Sequence, residues 1–142
     1  MSDCIFCKII AGEIPGTFVH KDDVAVIFLD LNQSARGHLL IVPRQHVEQW
    51  HELPNDIAAH IGRLASEWAP AMLDAVNAEG YNVTINNGKA ANQEIPHVHL
   101  HLLPRRAGDR QLRYTDSPRI AEPDELHDTA AAIRDAASRD KE

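Results

Sequence analysis

The stretch His97-Val98-His99-Leu100-His101-Leu102-Leu103 constrains this chain most. Polar and apolar residues alternate with period two, which is a strand signal because successive side chains leave opposite faces. Val98, Leu100 and Leu102 are then expected in a core, with His97, His99 and His101 on the other face, each roughly 6.5 Å from the next. Pro104 has no N–H for a ladder, so the strand is expected to end there. Three neighbouring imidazoles disfavour one another's charge, and most are expected neutral at pH 7. A neutral imidazole serves as nucleophile, base or metal ligand. The plain alternative is a solvated strand face that happens to be rich in histidine.

At 142 residues the chain is long enough for one domain with a real core. Its 44% apolar content is that of a globular protein. A net charge of −7 argues against a general nucleic-acid binder, while leaving room for a small anion held by local N–H donors. No apolar run reaches a membrane span, and Asp3 and Lys8 break the short apolar start that a signal peptide would need. The expected setting is the cytoplasm, with the two cysteines reduced.

Cys4 to Gly12 reads as one or two helical turns carrying an apolar cluster of Ile5, Phe6 and Ile9. Cys4 and Cys7 form a C-x2-C pair, the spacing of half a zinc site or of a redox dithiol. Strands are expected over Thr17–His20, Val24–Leu29, His38–Val42 and Tyr81–Asn86, besides the histidine run. Pro54 to Glu79 reads as the main helix, with Ile57, Ile61, Leu64, Trp68, Met72 and Val76 as its apolar stripe. Pro70 is expected to kink or break it, and Gly80 to end it. Arg105 to Arg110 reads as a basic loop, the stretch through Pro118 as irregular, and Pro123 to about Ser138 as a terminal helix with Leu126, Ile133 and Ala137 on one side. Five strands without β-α-β alternation predict an α+β fold with an antiparallel sheet.

The run His97-x-His99-x-His101, followed by apolar residues, resembles the signature of the histidine triad (HIT) family. The resemblance covers about residues 4–105, with residues 106–142 as a variable end of the same single domain. It implies a HIT-like fold, a five-stranded antiparallel sheet with a main helix and a C-terminal helix, paired as a homodimer. It also implies attack by the middle histidine, His99, on the α-phosphorus of a purine nucleotide, through a nucleotidyl-histidine intermediate that water releases. His101 then binds phosphoryl oxygens and assists the leaving group. His38, after Gly37, orients the nucleophile, and His97 completes the triad.

Carried over position by position, Asp30 accepts the ribose hydroxyls, and Asn86 and Gln93 lie near the phosphate. Ile5, Phe6, Ile9, Phe28 and Leu31 form an apolar slot for the purine. Some bacterial members bind structural zinc through residues matching Cys4, Cys7, His46 and His97, a complete tetrahedral Cys2His2 set; no organic cofactor is implied. Two positions depart from the family: Glu94 stands where the phosphoramidate-cleaving Hint branch has serine, and Asn92 where glycine is usual. The expected activity is that of a nucleoside phosphoramidase, with a diadenosine polyphosphate hydrolase of the Fhit type as the alternative. Two readings of other kinds stand beside it. One makes the histidine face a catalytic metal centre, and the other makes the chain a nucleotide-binding adaptor without turnover.

Overall fold

A computed structural model describes residues 3–109 and 119–140. They fall into two units, Met1–Gln111 and Leu112–Glu142. The first unit runs α1 (Ile5–Ile10), β1 (Phe18–Lys21), β2 (Ala25–Leu29), β3 (Leu39–Pro43), α2 (Asn55–Val76), β4 (Gly80–Ile85) and β5 (Leu100–Arg105), with short 3-10 turns at Trp50–Glu52 and Lys89–Ala91. The five strands make one antiparallel sheet in the order β1-β2-β3-β5-β4. The fold is α+β, as the sequence implies.

The sheet is buried on both faces at its centre, which is why β2 and β3 read as continuous apolar runs. On one face Ala25, Ile27, Leu39, Ile41, Leu100 and Leu102 meet Ile61, Leu64, Ala65 and Met72 of α2. On the other, Val26, Phe28, Leu40 and Val42 meet Cys4, Phe6 and Ile9 at the α1 end of the chain. The odd–even split of β3 therefore decides the site. Leu40 pairs with His101, so the histidines share a face with α1 rather than with α2.

Three boundaries differ from expectation, each for a local reason. The last strand starts at Leu100 rather than His97. The Val98 N–H is diverted to the Val47 carbonyl at 2.9 Å. It also continues through Pro104, which pairs with Tyr81. The Arg105 carbonyl accepts from Glu79 N–H on the β4 side, so the proline nitrogen faces the β3 side, where the ladder has already ended at Leu39–Leu102. A missing N–H costs nothing there. The main helix runs unbroken through Pro70. Pro70 and the residue four before it, Ser66, are both exposed, so water satisfies the carbonyl that proline leaves free. The helix ends at Val76, short of Glu79, because Asn77 takes the left-handed cap at φ 54° and ψ 47°. Arg106 closes this end by donating to the Val76 and Asn77 carbonyls. Arg105 is held by Asp109 and Asn82, so the expected basic loop is a structural clamp.

The second unit holds α3 (Pro123–Asp140), with Arg119 forked onto Glu125 in its first turn. Leu126 and Ile133 are exposed on it. The expected irregular stretch through Pro118 lies largely outside the described residues.

The hairpin β1–β2 is tied to α2 by one carboxylate. Asp22 Oδ2 lies 2.8 Å from both His20 Nε2 and His60 Nε2, and Oδ1 accepts from Val24 and Ala25 N–H. Arg63 donates to His60 Nδ1, which leaves His60 Nε2 to carry the proton. Burial raises the Asp22 pKa, but these hydrogen bonds outweigh it and hold the carboxyl well below its ordinary 3.8. A depressed folded pKa contributes stability above the unfolded value, and that contribution is lost as pH falls toward the folded one. Asp22→Asn is therefore expected to cost about 1–2 kcal/mol at pH 7, with the deficit shrinking as pH falls below 3.8. Urea melts of both proteins at pH 7 and pH 3 check this, and a deficit independent of pH would remove the ionic account.

Candidate active site

The residues expected to act on substrate, His97 and Gln93 excepted, converge on a cleft of about 790 Å³ on the α1 face of the sheet. That is a size suited to a nucleotide-scale ligand. Ile5, Phe6 and Ile9 from α1, Phe28 from β2 and the adjoining Leu31 line one part of it. Phe6 stands edge-on to Phe28 at 5.5 Å and to the His99 ring at 4.9 Å. One aromatic ring thus packs on both the expected purine slot and the expected nucleophile. Leu31, also in the lining, is 90% exposed.

Asp30, His38, His99, His101 and Asn86 also line the cleft. His38 follows Gly37, which takes φ 98° and packs so closely that a Cβ there would stand 2.7 Å from Val76 Cγ1. Glycine is thus required where the chain passes the end of α2 on its way to His38 and β3. Gln33, which the sequence left as loop, holds this corner. Its Oε1 accepts from Gly37 and His38 N–H, and its Nε2 donates to the Asp30 and His38 carbonyls. No short-range pattern signals such a role, because it spans a loop closed only by the sheet.

The imidazoles are oriented by a chain of single hydrogen bonds. His99 Nδ1 donates to the His97 carbonyl at 2.8 Å, so its Nε2 keeps the lone pair. Ser34 N–H donates to His38 Nδ1, and His38 Nε2 faces His101 Nδ1 at 2.9 Å. With His38 Nε2 carrying the proton, His101 Nδ1 accepts and His101 Nε2 keeps its own hydrogen. Burial, reinforced by the neighbouring His99 and His38, pushes His101 down to about 4. Burial also lowers His99 and His38, the latter against the pull of Asp30, whose Oδ2 lies 3.7 Å from His38 Nδ1. The set is neutral at pH 7: one imidazole with a bare nitrogen beside another with an N–H to give. The bare nitrogen suits nucleophilic attack, and the neighbouring N–H suits a hydrogen bond to a phosphoryl oxygen or a leaving group.

Two expected members behave otherwise. The His97 side chain does not reach the cleft. It is fully buried, its Nε2 donates to the Pro43 carbonyl at 2.8 Å, and its Nδ1 faces Cys4 and Cys7. What it gives the cleft is its main-chain carbonyl. Gln93 is likewise outside the lining: its carboxamide accepts from Gly88 N–H and donates to the Glu48 and Ile95 carbonyls. It builds the loop instead of facing a ligand. Asn92, at φ 66°, and Glu94 do line the cleft.

Cys4, Cys7, His46 and His97 form a second cluster behind the triad. His97 Nδ1 lies 3.3 Å from Cys4 Sγ, 3.6 Å from Cys7 Sγ and 3.1 Å from His46 Nδ1, and Cys7 Sγ is 3.4 Å from His46 Nδ1. Tetrahedral zinc with ordinary Zn–S and Zn–N bonds separates such donors by about 3.3–3.8 Å. The donor set and spacing fit zinc, and the Pro43 carbonyl on His97 Nε2 is the kind of outer partner that metal-bound imidazoles carry. A second group, Asp30, His38 and His101, also has metal-ligating atoms close together. There His38 and His101 already face each other, so the bond that orients the pair would have to break for a metal to enter.

The histidine run thus brings His99 and His101 into a cleft with an apolar lining from α1 and β2. The HIT domain profile matches residues 11–108, and the chain belongs to the HIT family. It is 42% identical over 103 residues to the adenosine 5'-monophosphoramidase of Saccharomyces cerevisiae, covering 72% of this chain and 63% of that protein. It is 37% identical over 108 residues to an adenylylsulfatase of Arabidopsis thaliana, covering 76% of this chain and 55% of the relative. A Streptococcus mutans crystal structure superposes with a TM-score of 0.90 at 34% identity, over 96% of this chain and 87% of that one. A zinc-bound histidine triad protein from Mycobacterium smegmatis does so with a TM-score of 0.73 at 34% identity, over 96% and 98%. These relationships support a hydrolase acting on nucleotides.

Proposed function

We propose that the protein is a purine nucleoside phosphoramidase that works through a nucleotidyl-histidine intermediate on His99. The observation carrying this reading is the 2.8 Å bond from His99 Nδ1 to the His97 carbonyl, which leaves Nε2 as a fixed, neutral nucleophile in the cleft. Nε2 attacks the α-phosphorus as the P–N bond opposite breaks. The phosphoryl anion of bound substrate favours the imidazolium form of His101, whose Nε2 proton passes to the departing amine, so the amine leaves neutral and His101 returns to a neutral ring. Water then attacks the phosphorus, His101 takes up its proton, and the His99–P bond breaks to release the nucleoside monophosphate. Asp30 accepts from the ribose hydroxyls through the oxygen not held by Asn32 N–H. The apolar slot grips the base by its faces, so selectivity among purines is loose. Asn86 lies on the rim near the phosphate. Gln93 acts on the phosphate only indirectly, by setting the loop.

The test is a denaturing quench at alkaline pH of the enzyme turning over an adenosine phosphoramidate labelled at phosphorus. Acid-labile label on the protein, mapping to His99, is expected. Turnover with no label at any quench time, together with oxygen-18 stereochemistry showing inversion, would replace the covalent route by direct attack of water.

In this reading Cys4, Cys7, His46 and His97 hold structural zinc, which when bound supplies a fixed charge that keeps α1 against the sheet. Unpaired Cys4 and Cys7 suit a reducing compartment, the cytoplasm. Among the described residues no helix is long and apolar enough to cross a membrane.

The chain also pairs as a homodimer through β4. That strand is a sheet edge, with Tyr81 and Val83 43% and 49% exposed beside a recess lined by Gly62, Ala65 and Leu100. Sedimentation is expected to give a dimer for the wild type and a monomer for Val83→Lys. A monomeric wild type at micromolar concentration would remove the pairing.

A further inference from the structure

Charge in the cleft is one-sided. Two carboxylates line it, Asp30 and Glu94, and among the described residues no lysine or arginine does. Asp30 is engaged with Asn32 N–H and stands near His38, but Glu94 is exposed and makes no hydrogen bond or ion pair. Its main chain is nevertheless set by the two residues before it. Asn92 turns the chain at φ 66° and ψ 30°, and Gln93 is anchored by three hydrogen bonds into the loop. This loop leads into His97–His101, so its next side chain, Glu94, is delivered to the cleft that holds the nucleophile.

Sites that cleave phosphoanhydrides surround the leaving phosphates with cations, because several negative charges must be carried away. Here a polyphosphate leaving group meets fixed negative charge. A phosphoramidate carries one charge, at the transferred phosphoryl, and its amine leaves uncharged. An ammonium elsewhere on that amine finds a carboxylate with no other partner.

Building on the phosphoramidase reading, we propose that Glu94 is a specificity-determining residue that selects the leaving group by charge. It favours amines that bear a second, cationic amino group and disfavours anionic and polyphosphate leaving groups. The carboxylate forms no covalent bond and moves no proton; it acts as a fixed counter-charge.

The experiment compares kcat/KM of the full chain on adenosine phosphoramidates of diaminopropane, propylamine and β-alanine, and on diadenosine triphosphate. The order cationic, neutral, anionic is expected, spanning about tenfold, as suits an exposed carboxylate, and narrowing at high salt. Diadenosine triphosphate is expected at or below the anionic substrate. Glu94→Gln is expected to compress the cationic-to-anionic ratio, and Glu94→Lys to invert it. The same ratio in wild type and both variants would overturn the role of Glu94 while leaving the phosphoramidase reading intact. Wild type that cleaves diadenosine triphosphate faster than every phosphoramidate would overturn the charge selection as well. No cleavage of any phosphoramidate would remove the underlying activity and this inference with it.

Discussion

His99→Ala is expected to lower kcat on an adenosine phosphoramidate by about 10⁴-fold or more, with KM changing only a few-fold. The asymmetry follows from how the ring is held. His99 makes one polar bond, to the His97 carbonyl, and ring contacts with Phe6, which bears on the slot, and with His101. The base and ribose are gripped elsewhere, by the apolar slot and Asp30, so truncation of His99 leaves ground-state binding largely in place. What disappears is the bond that splits one hard displacement into two easier ones. His101 remains, and with it proton donation, so the residual rate is that of water attacking without a covalent intermediate. Steady-state kinetics of both proteins, with nucleotide affinity measured separately, check the split. A variant retaining full kcat would remove His99 as nucleophile and reopen the reading of the histidine face as a catalytic metal centre. A wild type that binds nucleotide but turns over nothing would favour the adaptor.

The sequence carried the site's inventory better than its wiring. Period-two alternation put Leu100 and Leu102 into the α2 core and the histidines opposite, because that rule depends only on strand geometry. The C-x2-C pair was readable as half a zinc site or a redox dithiol, while His46 and His97 entered only through the resemblance to bacterial family members. Single hydrogen bonds that close loops were not readable. His97 looks like its two neighbours in the run, yet the chain bends before Leu100. Its ring turns to Pro43 and the cysteines, and its carbonyl alone serves the cleft. Gln93 sits where a phosphate contact was expected, and three local partners take its carboxamide instead. Gln33 had no signal at all, because its four bonds exist only once Asp30 and His38 stand on adjacent strands. The missed helix end at Asn77 has the same character. Asparagine tolerates the left-handed region well enough to stop a helix that glycine was expected to stop at Gly80.

Stripping zinc, or replacing a ligand as in Cys7→Ser, is expected to cost about 3 kcal/mol or more and to lower Tm by about 10 °C or more. The reason lies in what α1 has without it. Six residues of helix are too short to hold themselves. Their tether is Cys4 at the N-cap and Cys7 one turn on, both facing His97, which the Pro43 carbonyl fixes on the sheet. Remove the ion, and two thiols and two imidazoles within hydrogen-bonding distance lose the charge that joins them. Phe6 then keeps only its ring contacts with Phe28, His97 and His99. Amide exchange over Ile5–Ile10 is therefore expected to quicken far more than exchange in α2 or β2. Metal analysis is expected to give one zinc per chain in the wild type and substoichiometric zinc in Cys7→Ser. Protein that carries no zinc when purified from zinc-supplemented medium, or a Tm unmoved by a chelator that demonstrably removes the ion, would leave Cys4 and Cys7 as ordinary reduced thiols. The docking of α1 would then rest on Phe6, Ile9 and their apolar neighbours alone.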